Sequence, residues 1–375
     1  MQEVVFYLTV TAAAIWLGTL LLPWRPWSVS EVLEAVPVLA AEVDLSEVTV
    51  VIPARNEAEV IAGTLASLRE QGKNLKVILV DDDSSDATIA LANGSNIPHL
   101  SIIESKQLPE GWSGKLWAQE QGLKQVATQY TLLLDADIAL LPGMINSLKT
   151  KLESEQLQFV SLMAVLRFDS IWEKLLMPAF IFFFKMMYPF ALSNSSRHKV
   201  AAAAGGCIFA KTSVLCEVGA MVSIKNAVID DCSLAKAVKS AGFKTWVGLT
   251  HGVLSQRRYE KLANIWDMVA RTAFTQLNYS LLGLVSCSVI MLLMYWMPFL
   301  SLFIWPHALG IVGALSIAIM FGLYLPVLRF YSLNPAWGLA LLLISGLFLL
   351  MTWSSALRYW KGERSRWKGR IYQKI

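Results

Sequence analysis

Four short polar clusters hold the residues of this chain that could do chemistry. They are Pro53-Ala-Arg-Asn-Glu57, Asp81-Asp-Asp-Ser-Ser-Asp86 with Thr88, Asp135-Ala-Asp137 with Gly114-Lys115 ahead of it, and Asp230-Asp231. Asp135 and Asp137 lie two residues apart after an apolar run, so at a strand end their carboxylates point to one side. Such a pair repels itself unless a cation sits between its members. Mg2+ or Mn2+, hard ions that take oxygen ligands and share phosphate, suits that geometry. Asp82, directly after a buried-type run, can accept from a nucleobase N–H or ribose hydroxyls. Ser85 and Asp86 instead have the chemistry of a turn that caps the next helix. Lys115 opens a helix after Gly114, where a diphosphate could dock; the alternative is a solvated lysine.

These clusters need a frame that brings strand ends together. Val48–Ile52, Leu75–Val80, Leu100–Glu104 and Tyr130–Leu134 read as short buried strands, several ending in polar residues. Glu57–Gln71, Thr88–Asn93 and Gly114–Ala127 read as the helices between them. This alternation predicts an α/β fold with a mostly parallel sheet flanked by helices, whose ligand site lies at the carboxyl ends of the strands.

Taken in order, Val50–Glu57, Val80–Thr88, Gly114–Ala118, Leu134–Asp137, Ala-Gly-Gly-Cys-x-Phe at 204–209 and Asp-Asp-x-x-Leu-Ala at 230–235 resemble the family 2 glycosyltransferases of the GT-A fold. Within that family, Tyr259–Leu277 and the apolar segments are similar to the hopanoid-biosynthesis-associated glycosyltransferases, and the layout resembles ceramide glucosyltransferases. The resemblance implies a nucleotide-diphosphate sugar as donor, a UDP-sugar first among them, and a membrane lipid as acceptor. It implies that Pro53, Glu57 and Asp82 line the nucleotide pocket, and that Asp135 and Asp137 hold the ribose and a metal-bound diphosphate. Asp231 matches the family's general base, with Asp230 where the family has glutamate. Asp83 stands where the family has glycine. Of the Gln-x-x-Arg-Trp element of processive relatives only Arg271 remains, to touch the leaving diphosphate or to anchor an interface. Gly205 and Gly206 would let the acceptor pass close to the backbone. Two rivals are a transferase acting on polyprenyl phosphate, with Arg197, His198 and Lys199 as the basic residues, and a catalytically silent membrane scaffold.

The chain has 375 residues, 55% hydrophobic and only 16% charged, with a mean hydropathy of +0.50. A soluble domain carries roughly 25% charge, so part of this chain belongs in a bilayer. Residues 279–375 hold eight Lys or Arg against Glu363 alone, +7, which leaves −3 on the remainder of a chain whose net charge is +4. A mildly acidic domain argues against nucleic acid as a partner. Four cysteines without C-x-x-C spacing and four scattered histidines argue for reduced packing thiols and against a zinc site.

The expected organisation is an N-terminal transmembrane anchor at 1–28, a cytosolic catalytic domain at 46–278, transmembrane helices within 279–357 and a basic cytosolic tail at 358–375, in a bacterial inner membrane. The apolar runs are Val4–Leu22, Leu281–Trp305, Ala308–Leu328 and Ala336–Leu357. If all span, the basic tail falls on the side opposite the domain, against the positive-inside rule, so one run should not span. The stretch 171–192, apolar but broken by Lys174, Pro178, Lys185 and Pro189, reads as an interfacial helix leading the acceptor in, the alternative being a buried core helix.

Overall fold

In a computed structural model, which describes residues 2–303, 307–368 and 370–373, the run beginning at Val48 forms β1 (Val48–Ala54), buried along its whole length. It is flanked by β2 (Lys76–Asp81) and β4 (Tyr130–Leu134), both parallel to it, and β2 carries β3 (Leu100–Glu104) on its outer side. Helices Ile61–Arg69, Thr88–Asn93 and Gly114–Leu123 connect them, as the alternation requires.

Beyond β4 the sheet continues with strands that the sequence reading does not reach: β5 (Ile138–Leu140), β6 (Phe159–Val165), β7 (Cys207–Lys211) and β8 (Thr245–Ser255). The eight strands lie in the order β3-β2-β1-β4-β7-β6-β8-β5. β7 runs antiparallel to both β4 and β6, and β5 antiparallel to β8, while β6 and β8 are parallel. Four of the seven pairings are parallel, so the sheet is mostly parallel as expected, with antiparallel pairings at β7 and β5. The consequence is functional: Leu134 at the end of β4 pairs with Cys207 at the start of β7. The loop entering β7 thus meets the carboxyl end of β4, and Asp135 N–H donates to the Gly206 carbonyl at 3.1 Å.

Among the described residues, four helices are long and apolar enough to cross a membrane: Glu3–Leu21, Leu281–Ser301, Ala308–Phe330 and Pro335–Trp360. Trp305 and Pro306, where one sequence break was read, lie outside the described residues. Pro298 has no N–H to give the Met294 carbonyl, and the buried Trp16 indole donates to that oxygen instead, at 2.7 Å. The N-terminal helix is thereby pinned to the Leu281–Ser301 helix beside its π-helical turns at Leu292–Trp296.

The last apolar helix behaves differently from the rest. The turn that precedes it touches the catalytic domain: the Phe330 carbonyl lies 2.8 Å from His251 Nε2 on β8, and Tyr331 packs on Phe168. Its far end touches the domain too. Arg358 pairs with Asp267 at 2.5 Å, Ser355 Oγ accepts the Phe274 N–H, and Tyr359 stacks on Tyr279. Nor is the tail free: Glu363–Trp367 (β9) and Arg370–Gln373 (β10) form an antiparallel hairpin against the domain.

The stretch read as interfacial forms a helix, Ile171–Met187, whose middle is buried between the sheet and the apolar helices. Its charges find partners inside the protein. Glu173 closes a capping box with Ser170 and accepts the Tyr259 N–H, and Lys185 meets Glu31 at 3.4 Å and lies over the Phe190 ring. Charges and prolines in an apolar helix signal an interface only when nothing in the fold answers them.

Gly122 sets how closely the Gly114–Leu123 helix approaches β1 and β2. A Cβ there would stand 2.5 Å from Val51 Cγ1 and 3.1 Å from Val80 Cγ2. Gly122→Ala therefore overpacks this contact, at a cost of about 1–3 kcal/mol. Thermal unfolding of the purified protein should show a lowered Tm.

Candidate active site

The site grows from the ends of β1, β2, β4 and β8. After β1, Asn56 takes φ +50°, and its side-chain oxygen accepts the Ser85 N–H at 2.8 Å. Asn56 N–H donates to Ser84 Oγ, Glu57 N–H to Thr88 Oγ1 and Ala58 N–H to Asp86 Oδ2. Ser85, Asp86 and Thr88 are thus used up in locking two strand-end loops together, as their turn chemistry suggested. Asp83 has φ +60°, the left-handed region where glycine is at ease and aspartate is tolerated.

Asp82 is nearly fully buried behind this lock, and Arg55 donates to its carbonyl oxygen. Burial pushes its carboxyl above the ordinary range, and does the same to Glu57, against the pull of neighbouring cations. Lys115, at the start of its helix, lies 2.8 Å from Asp135 Oδ1 and 3.5 Å from Asp230 Oδ2. Burial works against its charge, but Asp135 and Asp230 overcome this and hold it protonated. It is no solvated lysine.

Asp230 and Asp231 open the helix Asp230–Ser240, whose first-turn N–H groups favour negative charge. Asp231 accepts the Gly205 N–H at 2.8 Å and the Cys232 N–H at 2.7 Å. Burial, and then Asp230 beside it, push its carboxyl up to about 6 against these bonds. A Cβ on Gly205 would lie 3.3 Å from Asp231 Oδ2 and 3.4 Å from Lys115 Nζ. Gly205 therefore fits a backbone donor beside the acid. Gly206 is packed on Ile138.

One residue that sequence reasoning passed over ties the acids together. Arg257, two residues past β8, donates to Asp137 Oδ2 at 2.6 Å and to both Glu57 oxygens at 3.1 Å. The available signal was its place at the carboxyl end of a strand, but β8 was not recognised as one.

A cavity of about 400 Å³ opens along this wall. Pro53, Glu57, Lys115, Asp135, Asp137, Asp230 and Arg271 line it, while Asp231 and Gly205 border a small adjoining pocket that shares Lys115 and Asp230. Among the residues singled out from sequence, Asp82 and Gly206 line neither. The cavity's other end is walled by Met268, Phe274, Tyr279 and Tyr359, with Arg271 and the Arg358–Asp267 pair among them. Asp135 and Asp137 present carboxylate oxygens, the donor type that Mg2+ or Mn2+ takes, with Lys115 and Arg257 already on them at 2.8 and 2.6 Å. Among the described residues no third carboxylate, histidine or cysteine joins them in a metal-type cluster. Remaining positions would fall to phosphate oxygens and water, as Mg2+ prefers.

Residues 49–219 match the model of glycosyl transferase family 2, so the chain carries a glycosyltransferase domain of that family. Sequence relatives include the 4,4'-diaponeurosporenoate glycosyltransferases of Staphylococcus haemolyticus (strain JCSC1435), 30% identical over 95 residues, and of Staphylococcus aureus (strain USA300), 30% identical over 110 residues. These alignments cover 25% and 29% of this chain and 24% and 28% of the relatives. The chain thus matches about a quarter of the length of these curated relatives. The fold is similar to that of the mannosyltransferase PcManGT from Pyrobaculum calidifontis in complex with GDP-Man and Mn2+, at 16% identity and a TM-score of 0.56, covering 96% of this chain and 100% of that one. The shared architecture is a GT-A-like sheet flanked by helices.

Arg257 is the shared cation of two carboxylates, so Arg257→Met should lower the Tm at pH 8, by an amount equivalent to about 1–2 kcal/mol for a partly exposed pair. The gap to the wild type should narrow on acidification, as the raised Glu57 carboxyl takes up a proton and no longer needs a cation. A gap independent of pH would remove the ion pair as its cause.

Proposed function

We propose that this protein is an inverting glycosyltransferase moving a sugar from a nucleoside-diphosphate donor to a hydroxyl of a membrane lipid, in hopanoid-related lipid synthesis. The observation that carries this reading is the single cavity that runs from Lys115, Asp135 and Asp230 to Phe274, Tyr279 and Tyr359 on the membrane-side helices. A charged end suits a sugar nucleotide, and an aromatic end suits a lipid.

In this reading Asp231 takes the proton of the acceptor hydroxyl as its oxygen attacks the anomeric carbon. The bond from that carbon to the diphosphate oxygen breaks, and the electron pair leaves with the diphosphate. Lys115, Arg257 and Arg271 stand in place to meet the charge. One displacement turns an α-linked donor into a β-glycoside. Glu57 accepts from the nucleoside, while Asp82, which does not line the cavity, stands buried behind that wall. Asp137 with Asp135 would hold Mg2+ or Mn2+, which when bound supplies further positive charge to the diphosphate.

The apolar acceptor is supported by the carotenoid glycosyltransferases among the relatives, and the hopanoid assignment by the Tyr259–Leu277 resemblance. A UDP-sugar is the first donor to try. Polyprenyl phosphate is disfavoured: Arg197, His198 and Lys199 are exposed and do not line the cavity.

The protein is placed in a bacterial inner membrane with the catalytic domain in the cytoplasm. Three helices cross, and Pro335–Trp360, with both ends on the domain, lies along the interface. That puts the basic hairpin on the domain's side and satisfies the positive-inside rule. A single cysteine introduced at Gly362, in a background lacking the four native cysteines, should label only in inside-out vesicles. Labelling in right-side-out vesicles alone would require every apolar helix to span.

Asp231→Asn should lower sugar transfer to lipid at least a hundredfold while nucleotide affinity stays within about twofold. In the wild type the acidic limb of kcat/KM should fall near pH 6, because Asp231 must be unprotonated to act as base. Lipid mass spectrometry with a panel of nucleotide sugars reads both. Near-normal turnover in Asp231→Asn would dismiss the base.

A further inference from the structure

The basic C-terminal hairpin reaches the donor wall. Lys368 Nζ lies 2.8 Å from Glu57 Oε2 and donates to the Asn56 carbonyl at 2.9 Å. Arg370 Nη1 lies 2.5 Å from Asp82 Oδ2, with Nη2 3.9 Å from Asp83. Both cations are largely covered, at 18% and 26% exposure, and Glu57 and Asp82 are almost wholly buried. Lys368 also lines the cavity.

The charge on this wall shows why that contact matters. Glu57, Asp82, Asp135, Asp137, Asp230 and Asp231 converge on it, and the cations that the catalytic domain pairs with them among the described residues are Arg55, Lys115 and Arg257. A nucleoside diphosphate adds at least two negative charges. Six carboxylates face these three cations and the cavity-lining Arg271, so before a divalent ion binds the wall keeps a net negative charge that repels such a ligand; two more cations from the hairpin bring it close to balance. Glu57 is shared between Lys368 and Arg257, and Arg257 reaches on to Asp137, so Lys368 is linked through Glu57 and Arg257 to the acids proposed for the diphosphate.

We propose that Lys368 and Arg370 are donor-binding residues, supplying from the C-terminal hairpin the positive charge that the domain lacks for holding a nucleoside diphosphate. This rests on the donor reading above. It gives the basic tail a role in donor affinity in place of lipid anchoring.

The test is equilibrium binding of UDP, GDP and the matching nucleosides to the full-length protein in detergent, comparing the wild type with Lys368→Ala/Arg370→Ala. The double variant should bind the diphosphate on the order of tenfold more weakly, with a shallower salt dependence. Affinity for uridine or guanosine should fall much less than that for the diphosphate, and Arg370→Lys alone should keep most of the diphosphate affinity. Equal or tighter diphosphate binding by the double variant would overturn the proposal, tighter binding making the hairpin a competitor of the donor. Equal losses for nucleoside and diphosphate would overturn it too, as the mark of a purely structural hairpin. In both cases wild-type binding that Asp135→Asn weakens would leave the donor reading standing. A wild type that binds neither diphosphate would fail the donor reading itself.

Discussion

Six carboxylates share one edge of this sheet, and like charges held that close must be balanced. Most of the arrangement around them answers this demand. Lys115 sits between Asp135 and Asp230, Arg257 between Asp137 and Glu57, and Lys368 and Arg370 reach Glu57 and Asp82. The cations come from a helix start, a strand end and the C-terminal hairpin, so the site is complete only when distant parts of the chain are in place.

The direction of β7 makes that assembly possible. An all-parallel sheet would place the start of every strand at the edge away from the acids. Because β7 runs against β4, its leading glycines arrive beside Asp135, and the Gly205 N–H is there to hold Asp231. The acid is fixed by backbone donors that the sheet positions, while its burial and its neighbour Asp230 keep its proton affinity high. A group so held is oriented, yet still able to exchange a proton near neutral pH.

The apolar part of the molecule is joined to this site through the same elements. Arg358 and Tyr359 reach from the last apolar helix to the Leu262–Ala270 helix and Tyr279, and the hairpin follows within a few residues. His251, held by Glu34, fastens the end of the preceding apolar helix to β8 through the Phe330 carbonyl. The membrane-side wall of the cavity and its charged wall are therefore parts of one packed unit.

The first four strands, the loops that end them and the acids on those loops were legible because each is a contiguous signal: an apolar run, then a polar cluster. Asp135, Asp137, Asp82 and Lys115 could be singled out in this way. β8 was not, since its two glycines, its threonines and His251 break the run, although the fold buries most of it. The charges and prolines of the Ile171–Met187 helix suggested a membrane interface, but Glu173 and Lys185 are answered by Tyr259 and Glu31. Arg257 lies 120 residues from Asp137, and Arg370 lies 288 from Asp82. By itself the sequence determined the kinds of element, the acids and the apolar segments, because periodicity and local composition encode them. Which cation meets which acid, which way β7 runs and where the tail lies were decided by the tertiary structure alone, because an ion pair depends on distance in space and leaves no mark in spacing along the chain.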